Sequence, residues 1–182
     1  KYVFLNGMEG GFKLVAKEKF RVDLLARLRF FDIPREYQNE IQGDTFDVGA
    51  LLNYSITDEL VSDLDLLTDE EGNLHANLKF TYSVESDKIE LWPYVNLRVT
   101  SGEFNSYYYG LDLFEIDSDT EFAIGIDGKY HLWKNLYLIG RLENRWLGDS
   151  VRNSPFVDRD SLQEVYLGIG IFNEDRKERK PR

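Results

Sequence analysis

The stretch NLHANLKFTYSV, residues 73–84, decides the fold. Its even positions are Leu74, Ala76, Leu78, Phe80, Tyr82 and Val84, and its odd positions are Asn73, His75, Asn77, Lys79, Thr81 and Ser83. Successive side chains of a β-strand point to opposite sides. A period of two therefore puts a wholly apolar row on one face and a wholly polar row on the other, which marks a strand set between two unlike environments.

The same alternation runs through most of the chain. Phe20, Val22, Leu24, Ala26, Leu28 and Phe30 oppose Arg21, Asp23, Arg27 and Arg29. Phe46, Val48, Ala50, Leu52, Tyr54 and Ile56 oppose Asp47, Asn53 and Ser55. Ile89, Leu91, Pro93, Val95, Leu97 and Val99 oppose Glu90, Asn96 and Arg98. Phe122, Ile124, Ile126, Tyr130 and Leu132 oppose Asp127, Lys129 and His131, and Leu136, Leu138, Leu142 and Trp146 oppose Arg141, Glu143 and Arg145. Weaker versions occupy 1–6, 11–17, 59–68 and 162–172. About ten strands result, many near the ~9–11 residues of a tilted membrane span. No long window places its apolar residues at helical spacing.

The connections alternate as well. Short turns are expected at 17–19, 57–58, 86–88 and 133–135. Longer loops are expected at 32–44, 101–120 and 148–161, with 69–73 a compact exception. Short turns at one end and long loops at the other describe an antiparallel up-and-down sheet of the outer-membrane type. A bilayer tolerates no open edge, so such a sheet is expected to close into a barrel.

Composition narrows the partners. The chain has 182 residues, 33 acidic and 22 basic, for a net charge of −11. A nucleic-acid ligand needs a basic footprint, which is missing here. With no cysteine there is neither a disulfide framework nor a thiolate site. The chain opens on KYVFLNG without an initiator Met and reads as a mature or trimmed product. Residues 1–172 read as the barrel and 173–182, NEDRKERKPR, as a charged disordered tail.

A soluble lipocalin-like barrel shows the same alternation with its greasy face inward. Two features favour the membrane version. The polar rows carry charges of both signs: Arg27, Arg29, Asp47, Lys79, Arg98, Asp127, Lys129, Arg141, Glu143 and Arg145. The apolar rows instead end in Tyr54, Tyr82, Tyr130 and Trp146, rings suited to the headgroup level. Mixed signs at two-residue spacing pair across strands, so the ten charged residues are expected to form a lumen network that largely fills the interior.

The segments WPYVNLRVTSGEFNSYYYGLD, YHLWKNLYLIGRLENRWLGDSVRNSPFVDRD and VYLGIGIF resemble the MltA-interacting protein (MipA/OmpV) family of Gram-negative outer membranes. The aromatic triplet plus glycine and the loop LGDSVRNSPFVDRD are the specific elements. GGFKLVAKEKFRVDLLARLRFFD resembles an earlier hairpin of that family, and the likeness spans most of residues 10–172. It implies an outer-membrane β-barrel with a scaffold role, joining a lytic transglycosylase to a murein synthase. It also implies a further hairpin before KYVFLNG, giving about twelve strands in the intact barrel, so residues 1–172 are not expected to close the barrel by themselves. Other members are described as porin-like or adhesive. The family closes on an outward aromatic, whereas the outward row here runs Val165, Leu167, Ile169, Ile171 and leaves Phe172 inward.

No enzyme site emerges. His75 and His131, the only histidines, both fall on the polar face, expected in mid-strand within a polar network. The acidic runs 69–71 and 117–121 lack metal-loop spacing and read as solvated loops that divalent ions bridge to lipopolysaccharide phosphates. Neither metal nor cofactor is implied; the surrounding partners are outer-membrane lipid and lipopolysaccharide. The low-specificity binding candidates lie in two loops. Tyr107, Tyr108 and Tyr109 are expected to pack a loop across the barrel mouth, with Gly110 supplying a positive φ or a close approach. In the other loop, where Ser154 is a further candidate, Pro155 is expected to fix a turn, and Asp158 and Arg159 are expected to pin the loop to a neighbour.

Overall fold

A computed structural model describes residues 3–6, 9–29 and 45–171. The strands are β1 (Val3–Asn6), β2 (Glu9–Ala16), β3 (Phe20–Arg29), β4 (Thr45–Ser55), β5 (Leu60–Thr68), β6 (Leu74–Tyr82), β7 (Val84–Glu85), β8 (Ile89–Thr100), β9 (Asp119–Trp133), β10 (Leu136–Trp146) and β11 (Ser161–Ile171). Each pairs antiparallel with its chain neighbour along the path β1 to β11, with β7 a two-residue stub off β8. The fold is thus the expected all-β up-and-down sheet. The row 73–84, however, is two strands, broken at Ser83. The expected loop 32–44, Phe172, the tail and any preceding hairpin lie outside the described residues.

The alternation holds in three dimensions. On β6, Leu74, Phe80 and Tyr82 are exposed while His75 and Thr81 are buried. The outward rows form an apolar belt, with Phe20, Tyr54, Tyr82, Tyr130 and Trp133 toward the short turns. Phe46, Phe122 and Trp146 lie toward the long loops. Aromatic girdles flanking an apolar band are what a bilayer selects on the outside of such a sheet. The inward face is the reverse: Asp23, Asp47 and Glu121 are at most 1% exposed. Below the loops no helix layer covers that face among the described residues, so its burial comes from the sheet curling on itself. Arg29 on β3 and Arg98 on β8 lie four ladder steps apart, about 19 Å on a flat sheet. Both nevertheless place their guanidinium carbons 5.0 Å from the ring centre of Phe104.

Two features of the interior are absent from the alternation. Phe4, Leu25, Leu51 and Leu67 form a buried apolar layer within the otherwise polar lumen. On β9, Gly125 lets the Tyr94 ring lie flat against the strand; a Cβ there would fall 2.3 Å from that ring. Tyr94 then donates its hydroxyl to Glu143 Oε2 at 2.6 Å.

Two short helices accompany the strands, consistent with the lack of any long window at helical spacing. α1 (Gly102–Tyr108) and α2 (Asp149–Arg152) sit in two of the long loops. At seven and four residues they are too short for a helical period to register. Hydrogen bonds hold their starts instead: Ser101 caps α1 by accepting from Phe104 N, and Asp119 Oδ2, 32 positions away in the chain, accepts from Val151 N at the start of α2.

Candidate functional site beneath the loop helix

The loop between β8 and β9 folds back over the end of the sheet and forms a lid. Its helix places Phe104, Tyr108 and Tyr109 inward, where they join Leu111, Ile116, Leu147 and Val151 in one buried cluster. Asn105 and Ser106 fasten the returning segment of the lid: Asn105 Nδ2 donates to Asp117 O at 2.7 Å, and Ile116 N donates to Ser106 Oγ. Gly110 makes the turn possible through close approach. A Cβ there would lie 2.2 Å from Phe114 O, and the positive φ values fall on Leu111 and Asp112 instead.

The underside of the lid meets the charged interior at two tyrosines. Tyr108 donates to Asp69 Oδ2 at 2.6 Å and accepts from Arg29 Nη2 at 2.9 Å. Arg29 also grips Asp47 and Asp69 and lies over the Tyr108 ring. Tyr109 donates to Glu121 Oε1 at 3.1 Å, and Glu121 faces Arg98 and Arg145. Phe104 is fully buried between the Arg29 and Arg98 guanidinium groups and tilts against His75. Burial raises both the Tyr108 and Tyr109 hydroxyls well above the ordinary tyrosine range, and the neighbouring carboxylates add to it. Burial pushes the Asp69 carboxyl up, but hydrogen bonds from Tyr108 and Asn73 and the charge of Arg29 leave it below its usual range.

The acidic run 69–71 is therefore not simply a solvated loop: Asp69 is 4% exposed and is the anchor for the lid. Glu121, at the end of the second acidic run, is likewise buried. Sequence order hides this, because the partners of Asp69 are 39 and 40 positions away. The signal that was available is parity: Glu121 continues the inward row of β9 with Asp127 and Lys129.

Farther from the lid the remaining charges pair off. Arg27 binds Glu9 and Asp65; Lys79 and Arg141 share Asp127; Glu143 holds Arg145; Lys129 holds Glu90. Lys79 also stands 3.8 Å from the ring centre of Tyr94. Neither histidine is in mid-strand: His75, the second residue of β6, is buried 3.5 Å from Asp47, and His131 lies near the turn after β9 with Nε2 2.6 Å from Lys134 O.

In the last loop the expected pin is misplaced. Pro155, Asp158 and Arg159 are exposed, and Arg159 pairs with its own neighbour Asp158. The tie is Ser154, which is buried and donates to Tyr109 O at 2.6 Å. A short hydroxyl reaches a buried carbonyl, while long charged side chains stay in water and pair locally. Tyr107 is half-buried, edge-on to Tyr108. Among the described residues no three histidine, aspartate or glutamate side chains gather as metal ligands.

A family model described as MltA-interacting protein MipA matches residues 1–171. No curated protein and no solved structure matches the chain.

Proposed function

The chain belongs to the MltA-interacting protein MipA family, and from that premise we propose a non-enzymatic outer-membrane scaffold. In this reading the chain brings a lytic transglycosylase together with a murein synthase at the cell envelope. The observation that carries it is the ion-paired, lid-capped interior. A side chain such as Arg29, held by two carboxylates, a tyrosine hydroxyl and an aromatic face, occupies the space a wide aqueous path needs. A barrel so filled offers surfaces to partners, not a passage to solutes. The short turns then face the periplasm, where murein enzymes work.

The test is co-purification. Full-length chain in detergent is mixed with a purified MltA-type lytic transglycosylase and a bifunctional murein synthase, and a complex of all three is expected. Failure of both enzymes to bind, together with large steady conductance steps in planar bilayers, overturns the scaffold in favour of a pore. Turnover of phospholipid or lipid A would overturn the non-enzymatic part.

A further inference from the structure

The acidic excess is unevenly divided between the two ends of the sheet. The described long connections, 69–73, 101–118 and 147–160, hold ten acidic and two basic residues. The short turns, 17–19, 56–59, 86–88 and 134–135, hold four of each. Both loop-end bases are already engaged, Arg152 with Asp149 and Asp160, and Arg159 with Asp158. From Ser101 through Gly128 there is no basic residue at all.

Inside that acidic field stands an apolar knuckle. Leu113 is 72% exposed and Phe114 49% exposed, directly between Asp112 and Glu115 with Asp117 following. The knuckle is rigidly built. Leu111 is buried in the lid core, and Leu113 N and Phe114 N both donate to Gly110 O while Asp112 N donates to Ser106 O. Phe114 packs edge-on against Phe156 of the neighbouring loop, 5.5 Å between ring centres. Leu111 and Asp112 have φ of 53° and 55°, two consecutive L residues in the left-handed region. An exposed apolar pair on a fixed turn is preorganised for docking, since little ordering remains to be done on contact.

We propose that the Leu113–Phe114 knuckle, with the exposed Asp112, Glu115 and Asp117 that flank it in the chain, is a docking surface for a basic polypeptide presenting an apolar socket rimmed by Lys or Arg. Charge complementarity selects that occupant. The phosphate-bearing outer leaflet carries the same sign as these carboxylates and is disfavoured as a direct partner. The long loops face away from murein, so this surface is separate from the scaffold reading and does not depend on it.

The full chain in zwitterionic nanodiscs is titrated with a short leucine–lysine helical peptide, with empty discs subtracted. The expected result is salt-sensitive binding, weakened about tenfold by the pair Leu113→Ser and Phe114→Ser. At low salt the triple change Asp112→Asn, Glu115→Gln, Asp117→Asn weakens it by about the same factor, and that difference vanishes at high salt. A leucine–glutamate peptide is expected not to bind. Heat-modifiability on a gel checks folding; if the triple variant does not fold, Glu115→Gln alone is expected to weaken binding about twofold. Equal binding by a lysine–serine peptide without leucine, or wild-type affinity in the Leu113→Ser, Phe114→Ser variant, overturns the proposal. So does a fluorophore at position 113 that becomes buried on lipopolysaccharide bilayers with Mg²⁺ but not on peptide, which makes the leaflet the occupant.

Discussion

The wall of the sheet and the lid above it bury opposite kinds of side chain. In the wall, Leu24, Leu66 and Ile124 face outward and are exposed, while Asp23, Asp65 and Glu143 are buried. In the lid, Phe104, Leu111 and Val151 are buried, and Glu103, Asp112 and Asp149 are exposed. The lid thus obeys the rule of a water-soluble domain, and the wall obeys its inverse. The difference teaches where the solvent changes. Apolar burial in the lid is driven by water, whereas the wall must satisfy its polar groups internally because hydrocarbon offers no partners. The two regions meet at Tyr108 and Tyr109, whose rings belong to the lid core and whose hydroxyls belong to the charged interior.

The largest expected effect breaks the lid while sparing the wall. Phe104→Ala removes a fully buried ring that is flanked by Arg29 and Arg98. A loss of about 3–5 kcal/mol in the lid's local stability is expected. It is checked by proteolysis of the 101–118 segment, with heat-modifiability of the barrel retained. In planar bilayers the wild type should conduct little and this variant more; large steady wild-type steps would sink the occluded interior.

The converse change breaks the wall. Leu78→Arg puts a charge in the outward row at the middle of β6, opposite Leu64 and Leu97. Near the bilayer midplane this costs about 2–4 kcal/mol, measured by folding into lipid vesicles. Folding indifferent to it would remove the membrane assignment of that face.

How much of this was legible beforehand follows from the same contrast. The wall was readable because a period of two is a local property. Residues 20–29 and 45–55 announce both faces within one strand, and the observed register, which sets Arg27 opposite Asp47 across β3 and β4, agrees with that parity. Of the lid, only the expectation that Tyr107, Tyr108 and Tyr109 pack across the mouth was legible; its helix and its fastenings were not. α1 spans seven residues, and what holds it lies far off in sequence, at Asp69, Arg29, Glu121 and Ser154. Alternation also could not say that Leu25, Leu51 and Leu67 would join inside the lumen, because an inward leucine looks like an interruption until its neighbours across the ladder are known.

A smaller effect sharpens the junction. Tyr108→Phe keeps the ring and removes one hydroxyl, leaving Asp69 and Arg29 short of a partner. About 1–3 kcal/mol of lid stability should be lost. The junction also has a pH signature. The Asp69 carboxyl is held below its ordinary 3.8, so its contribution is complete above that value and disappears as pH falls through the lower folded value. Protection of the lid amides, measured against their intrinsic exchange rates, should therefore be flat from neutral pH to about pH 4 and fall below it. In Tyr108→Phe the acid step should move toward higher pH. An acid step unchanged by the substitution would dissociate Asp69 from the lid.

The smallest effect separates two ways of holding the last loop. Arg159 is exposed and pairs with exposed Asp158, a geometry in which side-chain entropy and solvent screening offset most of the attraction. Arg159→Ala is expected to leave lid protection unchanged. Ser154 is buried, and its hydroxyl bridges two backbones, donating to Tyr109 O and accepting from Phe156 N. Ser154→Ala strands the Tyr109 carbonyl away from water, at a cost of about 1–3 kcal/mol. The comparison is made by exchange at Tyr109 and Phe156 in both variants. Loss of protection in Arg159→Ala but not in Ser154→Ala would mean that surface charge holds the loop, and the lid's resemblance to a water-soluble core would then end at α1.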